Sequence, residues 1–546
     1  MLRLFKQYYP IRNIFFVLGE AIVIFGAVFL ASYIRIGAEI FVIDRWLFVK
    51  TLLITCACQT CLYYNDLYDF GISDTLPELT IRLFQALGAS AIILAGIYFL
   101  APSAIIGRGI FLISVGFVVV FLVSWRILYK KILELGLFDQ RIIILGASEL
   151  ARSIMKEIDH RKDCGYVVSV LAVDEDEDSF NVTGKNIELI RKKGYVGLCD
   201  MAKALGIQKI VVALREKRGT FPAQELLKCR VDGIEVLEGT SFYEMLTGKL
   251  IVDHINPAWL IFSDGFQKSR FRLLIKRISD LVMALILLLL FLPIIGLIVL
   301  LIKLDRKRPD LAPAEIWRWF ARTCASDGAS ISHRIRDLML PYIHGHDIDN
   351  GNIWERFRSK CRIDGVSSPD MMLNLIKAEI YQRHKPQNPI FFAQKRMGRR
   401  GTIYWIYKFR SMVEWAEEIS GGPTWAKSND KRVTQVGRFL RKWRLDEIPQ
   451  LWNVLKGEMS FVGPRPEREY FVRQLEQSLP YYRERLTVKP GITGWAQVSY
   501  GYGASEDDAR EKLNYDLFYI KNMSIFMDMM IMLKTVKIVI FGKGAR

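Results

Sequence analysis

The stretch Trp443–Glu467, WRLDEIPQLWNVLKGEMSFVGPRPE, decides how the rest of the chain is read. Two adjacent carboxylates, Asp446 and Glu447, stand between a basic run (Arg438, Arg441, Lys442, Arg444) and a stiff turn, Gly463-Pro464-Arg465-Pro466. Acids inside a cationic neighbourhood suit a divalent metal that holds a phosphate. Mg²⁺ takes one or two carboxylates plus phosphate oxygens, and arginine pairs with the remaining charge. Arg465 lies between two prolines, which fix their own φ and push the preceding residue toward extended backbone, so its guanidinium is presented from a rigid support. A structural alternative uses the same residues: Asp446 as N-cap of a helix from about Pro449 to Lys456 that ends at Gly457, with Glu447 favoured by the dipole of the first turn. A cap and a functional acid are compatible, and both readings stand at this point.

Working outward, 546 residues suffice for two or three domains. Hydrophobic residues make up 51% of the chain and the mean hydropathy is +0.18, which predicts membrane segments. The formal net charge of +18 fits anionic headgroups or phosphorylated substrates. Nucleic-acid binding is not expected, because the cations accompany apolar helices and acids rather than an RNA- or DNA-binding motif. The eight cysteines show no metal spacing, and Cys56, Cys58 and Cys61 fall inside an apolar run. His344 and His346, near Asp347 and Asp349, read as a solvated loop ahead of a metal site.

Apolar runs at about Ile14–Tyr33, Trp46–Tyr64, Ile81–Ala101 and Ile110–Tyr129 each approach the ~20 residues of a spanning helix. Residues 1–135 are therefore expected to form a four-helix transmembrane bundle. Arg3, Lys6 and Arg12 precede the first run and Arg126, Lys130 and Lys131 close the fourth, so both ends read as cytoplasmic. From Gln140 the texture becomes α/β, and 136–262 reads as a Rossmann-like domain. Arg141–Ala151 is a strand, tight turn and helix start; Val167–Val173, Lys209–Leu214 and Gly233–Leu237 are further strands. Ser148 replaces the second glycine of the nucleotide-binding fingerprint, which favours a degenerate, regulatory or structural module over a nucleotide site.

Within 263–304, Ile278–Ile302 is apolar and of spanning length, interrupted at Leu292-Pro293. Cations flank both ends: Lys268, Arg270, Arg272, Lys276 and Arg277 before, Lys303, Arg306, Lys307 and Arg308 after. The positive-inside preference pulls both ends to the cytoplasm, so a re-entrant helix broken at Pro293 is expected rather than a crossing. Residues 305–387 read as an interfacial helical insertion, with helices near Ala314–Thr323 and Asp370–Tyr381 and with Trp317, Trp319 and Trp354 among cations. Beyond it, the alternation Ile403, Trp405, Tyr407, Phe409 is strand-like and puts Lys408 and Arg410 on the opposite face. Met523–Phe541 is a methionine-rich apolar helix interrupted by Asp528, so packing on the domain or lying on a membrane surface explains it better than a crossing.

The combination RLDEIPQLWNVLKGEMSFVGPRPE, preceded by KFRSM and followed by KPGITGWAQV, resembles the bacterial sugar transferases, the polyisoprenyl-phosphate hexose-1-phosphate or monotopic phosphoglycosyl transferases. The likeness covers roughly Phe271–Arg546 apart from the insertion, and the amino-terminal helices and Rossmann-like domain resemble the family's large members. The resemblance implies a membrane protein with a re-entrant helix and an α/β monotopic catalytic domain at 388–546. It implies transfer of a sugar 1-phosphate from a UDP-sugar to undecaprenyl phosphate, giving the lipid diphosphate sugar and UMP, as the first membrane step of surface polysaccharide synthesis. By motif position, Asp446 would be the nucleophile that forms a covalent phosphosugar intermediate and Glu447 would help hold Mg²⁺. Arg465, shaped by Pro464 and Pro466, would hold phosphate, with Lys408, Arg410 and Arg444 as further phosphate contacts. The expected partners are membrane lipids of the bacterial inner membrane, with the catalytic domain facing the cytoplasm, and a homodimer is compatible with the apolar helices and the insertion.

Two departures from the family pattern stand out. Its re-entrant helix breaks at Ser-Pro, whereas Leu292-Pro293 lacks the hydroxyl that would cap freed carbonyls. The insertion separates Ile302-Lys303-Leu304-Asp305 from Asn388-Pro389-Ile390-Phe391-Phe392, which in the family are nearly adjacent, and a lid or oligomerisation element is expected of it. The competing reading from another class is a catalytically inactive membrane scaffold or nucleotide-sensing regulator; the intact Asp446, Glu447 and Arg465 argue against it.

Overall fold

The computed structural model describes the chain except residues 1, 5–6, 10, 38, 40–43, 69–75, 137, 162–163, 175–186, 192–194, 215–220, 255–264, 306–312, 329, 344–352, 364–365, 384–388, 414–429, 431, 502, 504 and 542–546. His344, His346, Asp347, Asp349 and the cations Arg306–Arg308 thus lie outside the described residues. The chain divides into two units, Met1–Phe266 with Lys521–Met527, and Gln267–Ile520 with Asp528–Arg546.

The first unit begins with a short hairpin, β1 (Leu2–Leu4) and β2 (Gln7–Tyr9), followed by four long apolar helices: α1 (Ile11–Ile36), α2 (Leu47–Tyr64), α3 (Leu76–Leu100) and α4 (Arg108–Glu134). All four are long and apolar enough to cross a membrane. Their facing side chains, Ile24 and Val28, Ile54 and Leu62, Leu83 and Leu94, Val118 and Leu122, form one core, while Ile22, Phe48, Ile92 and Leu112 point outward. Arg126, read above as a flanking cation, is instead inside this core: α4 runs on to Glu134, and the Arg126 guanidinium pairs at 2.6 Å with the fully buried Glu20 of α1. A charge removed from water is stable there only with such a partner.

The Rossmann-like part follows as β3 (Gln140–Leu145), α5 (Glu149–His160), β4 (Tyr166–Val173), β5 (Glu188–Arg191), α6 (Leu198–Ala204), β6 (Lys209–Val212), α7 (Ala223–Val231), β7 (Glu235–Glu238) and α8 (Gly239–Thr247). The five strands are all parallel in the order β5-β4-β3-β6-β7. Buried runs such as Ile142–Leu145 suit a sheet covered on both faces. β5 escapes pattern reading because Glu-Leu-Ile-Arg is a short, largely exposed edge strand. At the β3–α5 turn, Ser148 accepts from Ala151 N at 3.2 Å and donates to Ala213 O at 2.6 Å. Its hydroxyl therefore serves the fold from both sides.

In the second unit, α9 (Arg270–Leu304) is one helix of 35 residues with Pro293 inside it. Four helices follow, α10 (Pro313–Ser326), α11 (Ile331–Ile343), α12 (Ile353–Ile363) and α13 (Ser368–Arg383), around their own core of Ile316, Phe320, Met339, Phe357, Met372 and Ile376. Two of these, α11 and α12, are too charged and short in apolar period to be legible in sequence. The remaining elements are β8 (Phe391–Met397), β9 (Ile403–Phe409), α14 (Gln435–Lys442), α15 (Gln450–Lys456), β10 (Ser460–Val462), α16 (Glu469–Ser478), β11 (Gly491–Thr493), α17 (Trp495–Ser499), α18 (Glu506–Asn522) and α19 (Ile525–Phe541). β8 and β9 form an antiparallel hairpin and β10 and β11 a parallel pair, so among the described residues this region is helical with two two-stranded sheets.

The core gathers both halves of α9, Ala284 with Ile298 and Ile302, around Ile406, Phe409, Leu440, Leu451, Val454 and Met459. Polar contacts fasten each end. Arg277 donates to the carbonyls of Val454 and Leu455 at 2.6 and 2.9 Å, and Asp280 accepts from Phe461 N at 2.9 Å and Ser460 Oγ at 2.8 Å. At the other end, Arg410 Nη2 donates to the carbonyls of Ile302 and Asp305 at 3.0 and 3.1 Å, where the last turn of a helix leaves acceptors unpaired.

Candidate active site

The two carboxylates sit in a single 3₁₀ turn, Leu445–Glu447, entered through Arg444 at φ 53°. A non-glycine residue in the left-handed region is uncommon and is held only where the surroundings over-determine it. Asp446 is not a helix cap: the following helix α15 has Pro449 at its N-cap position without a side-chain cap, and Gly457 closes it at φ 87°. The capping alternative therefore falls, and Asp446 and Glu447 are 7% and 8% exposed.

Around them the fold assembles cations from β9 and from the 463–466 turn, and adds those of the run just before the acids. Lys408 Nζ lies 2.8 Å from Glu447 Oε1, Arg465 Nη2 lies 3.0 Å from the same oxygen, and Arg444 Nη1 lies 3.9 Å from Oε2. Arg441 approaches the pair from α14, its Nε donating to Ser411 Oγ at 3.0 Å. The Asp446 carboxylate makes no hydrogen bond or ion pair among the described residues. Burial pushes the pKa of Asp446 above its ordinary value, opposed by Lys408 and reinforced by the adjacent Glu447 charge. Burial acts on Glu447 in the same sense, but Lys408, Arg465 and Arg444 overcome it and hold this carboxyl well below the usual range. One acid is thus locked as a carboxylate inside a cation cage, and its neighbour is left uncommitted.

Lys408 reaches the site because β9 runs past it. Tyr404 and Ile406 are buried, while Ile403 and Trp405 are 44% and 49% exposed. The row that alternation marks as apolar therefore faces outward at its start, and the Tyr404-Ile406 face continues to Lys408. Asn453, fully buried, fixes the register: Tyr407 N donates to its Oδ1 at 3.1 Å and its Nδ2 donates to Trp405 O at 2.7 Å. Arg410, two residues on, goes to the end of α9 rather than to Glu447.

The turn 463–466 is built on close backbone approach. A Cβ on Gly463 would lie 2.5 Å from Lys489 O, and one on Gly491 would lie 2.1 Å from Gly463 N. Only glycine fits either place, which explains the glycines of the GPRP and KPGITG segments together. Pro464 is thereby seated beside β11, its carbonyl accepting from Gly491 N at 2.9 Å, and Arg465 projects to Glu447. Asn453 and Arg485 also shape the site, and sequence pattern did not single them out, since a lone polar residue in a helix or strand carries no local signal of a distant partner.

Two buried carboxylates, one with an oxygen not engaged at hydrogen-bond distance, fit a divalent ion that arrives with a phosphate. No group of three or more His, Cys, Asp or Glu forms a protein-only metal site among the described residues.

Residues 367–542 match the family described as bacterial sugar transferase. The chain is 46% identical over 174 residues to the UDP-N-acetylgalactosamine-undecaprenyl-phosphate N-acetylgalactosaminephosphotransferase of Aeromonas hydrophila, covering 32% of this chain and 40% of that protein. It is 39% identical over 178 residues to the undecaprenyl-phosphate galactose phosphotransferase of Salmonella typhimurium, covering 30% of this chain and 36% of that one. With EpsL, an uncharacterized sugar transferase of Bacillus subtilis, it shares 41% identity over 166 residues, which are 30% of this chain and 75% of EpsL. The chain thus spans less than half the length of the first two relatives and three quarters of the third. The acid pair, Lys408 and the Pro-Arg-Pro turn all fall within the matched stretch, and the chain belongs to the bacterial sugar transferase family.

Proposed function

We propose that this protein transfers a sugar 1-phosphate from a UDP-sugar to undecaprenyl phosphate, releasing UMP, at the cytoplasmic face of a bacterial inner membrane. The observation that carries the reading is the uncommitted Asp446 carboxylate beside a Glu447 held ionised by Lys408, Arg465 and Arg444. The activities for which the Aeromonas and Salmonella relatives are named support the reaction class.

In this mechanism an Asp446 oxygen attacks the β-phosphorus of the UDP-sugar. The bond to the bridging oxygen breaks, UMP leaves with that electron pair, and an acyl phosphate to the sugar remains on Asp446. An oxygen of undecaprenyl phosphate then attacks the same phosphorus and displaces the Asp446 carboxylate, giving the lipid diphosphate sugar. Lys408, Arg444 and Arg465 neutralise the charge that spreads over the transferring group. Glu447 and the incoming diphosphate would together hold Mg²⁺, which supplies further charge neutralisation when bound. Arg410, spent on the end of α9, is assigned a structural part.

The same reading takes α9 as re-entrant. If straight, 35 residues would run about 52 Å, enough to carry one end across a bilayer. Yet both ends are fastened to one α/β unit, through Arg277 and Asp280 at one and Arg410 at the other, while Leu289, Leu290, Leu292 and Leu297 between them are exposed and apolar. A single unit cannot hold both ends of a helix from opposite sides of a membrane.

The test is the intact mass of detergent-purified protein after incubation with Mg²⁺ and a panel of UDP-sugars without lipid acceptor, with Asp446→Asn alongside. An adduct of sugar phosphate on the wild type alone is expected. No adduct, and no lipid-linked product when undecaprenyl phosphate is added, would overturn the assignment.

A further inference from the structure

We propose that Arg485 and Arg396 are positioning residues, struts that hold the main chain of the Pro464–Glu467 turn so that Arg465 stays aimed at Glu447. The inference deepens the transfer reading above and rests on it only for its kinetic readout.

Four consecutive carbonyls of the turn each accept a hydrogen bond from a different part of the fold. Gly491 N donates to Pro464 O at 2.9 Å and Met397 N to Glu467 O at 3.1 Å. Between them, Arg485 Nη2 donates to Arg465 O and Arg396 Nη1 to Pro466 O, both at 3.2 Å. The outer two donors are main-chain amides, which almost any sequence would supply. The inner two are long side chains, and each is itself immobilised. Arg485 is 8% exposed, with Nε on Asp516 Oδ2 at 2.8 Å and Nη1 on the Tyr482 hydroxyl at 2.5 Å. Arg396 gives its other terminal nitrogen to Gln394 Oε1 at 2.8 Å.

The turn needs these outside donors for a chemical reason. Proline has no N–H, so Pro464 and Pro466 leave the segment with half its own main-chain donors, while its carbonyls still require partners once buried. A guanidinium is planar and carries five donors in a fixed fork, so one anchored by a carboxylate can brace a carbonyl with little entropy left to lose. Release of Arg465 O would free rotation at the one residue of the Pro464–Glu467 turn whose side chain reaches Glu447. An error of about 1 Å in such a group costs on the order of 10²-fold in rate.

The experiment combines hydrogen exchange across 463–468 with the transfer rate at saturating UDP-sugar, for Arg485→Lys, Arg396→Lys, Arg465→Ala and the doubles with Arg465→Ala. Lysine keeps the charge beside Asp516 or Glu467 but loses the fork. Each lysine variant is expected to exchange the Arg465 and Glu467 amides faster and to lose about 10- to 100-fold in rate. In the Arg465→Ala background the same change is expected to cost less than about 2-fold, because the group it aims is gone. Full loss on top of Arg465→Ala would mean a merely structural role and would overturn the proposal, as would unchanged exchange in the turn. If Arg485→Lys does not fold, Arg396→Lys carries the same test through Pro466 O. A wild type that transfers nothing, with exchange still quickened by Arg485→Lys, sinks the transfer reading and leaves the struts standing; normal transfer with unmoved exchange does the reverse.

Discussion

At the residue scale the two neighbouring acids have opposite relations to the fold. Glu447 is stabilised by three cations, so its folded pKa lies below the ordinary value. Its contribution is present above the unfolded glutamate pKa of about 4.3 and is lost as the pH falls toward the depressed value. Asp446 is raised, chiefly by burial, so its ionised form is the costly one and stability declines as the pH rises from about 3.9 through the raised pKa. Asp446→Asn is therefore expected to raise the unfolding temperature at pH 7 while reducing transfer by at least ~10³-fold. Glu447→Gln leaves Lys408 and Arg465 facing a neutral group and should destabilise by roughly 3–5 kcal/mol. Thermal unfolding of both variants in the same detergent checks the opposite signs; equal shifts would contradict the assignment. In the proposed mechanism transfer needs ionised Asp446, so the acid limb of the wild-type rate profile is expected above the ordinary aspartate range, and a limb at or below it would mean the nucleophile is another group.

At the element scale, strand β9 and helix α15 are one functional piece because Asn453 bonds to both sides of it. Asn453→Ala leaves Tyr407 N and Trp405 O without their partner in a half-buried place, at a cost of about 1 kcal/mol for each unmet group. The register of Lys408 should loosen with it, so the rate is expected to fall more than the remaining folded fraction explains; a rate that tracks the folded fraction alone would refute the link. β9 also shows what alternation leaves open. Strict alternation distinguishes two faces but not which one is inside, and Trp405 outside is stabilised by the Lys395 ammonium over its ring at 5.4 Å.

At the scale of the whole molecule, the proposed re-entrant course of α9 would keep both its ends on one side of the membrane. With both ends held by the same unit, single cysteines placed at Ser269 and Asp305, in a background with the exposed Cys56 removed, are expected to react with a membrane-impermeant thiol reagent from the same side of sealed inside-out vesicles. Labelling of the two sites from opposite sides would establish a crossing. The insertion, with its own core of Ile316, Phe320, Phe357 and Ile376, packs as a small helical body between α9 and β8 in the chain. Two of its helices were legible in sequence and two were not, because in α12 only Phe357 and Cys361 of the described side chains are buried, spaced among Arg, Lys and Glu, while Trp354 is exposed.

By itself the sequence determined the acid pair, the Pro-Arg-Pro turn, the apolar segments and the parallel-strand texture of 136–262, because each rests on local chemistry: carboxylates beside cations, prolines that fix φ, and runs that water rejects. Only the tertiary structure decided that Asp446 is uncommitted while Glu447 is caged, that Arg126 pairs with Glu20 inside the apolar helices, and that Arg410 belongs to the end of α9. It also decided which donors meet the carbonyls of the turn. These are contacts between residues tens to hundreds of positions apart, and a side chain's sequence neighbours carry no record of the partner that folding brings to it.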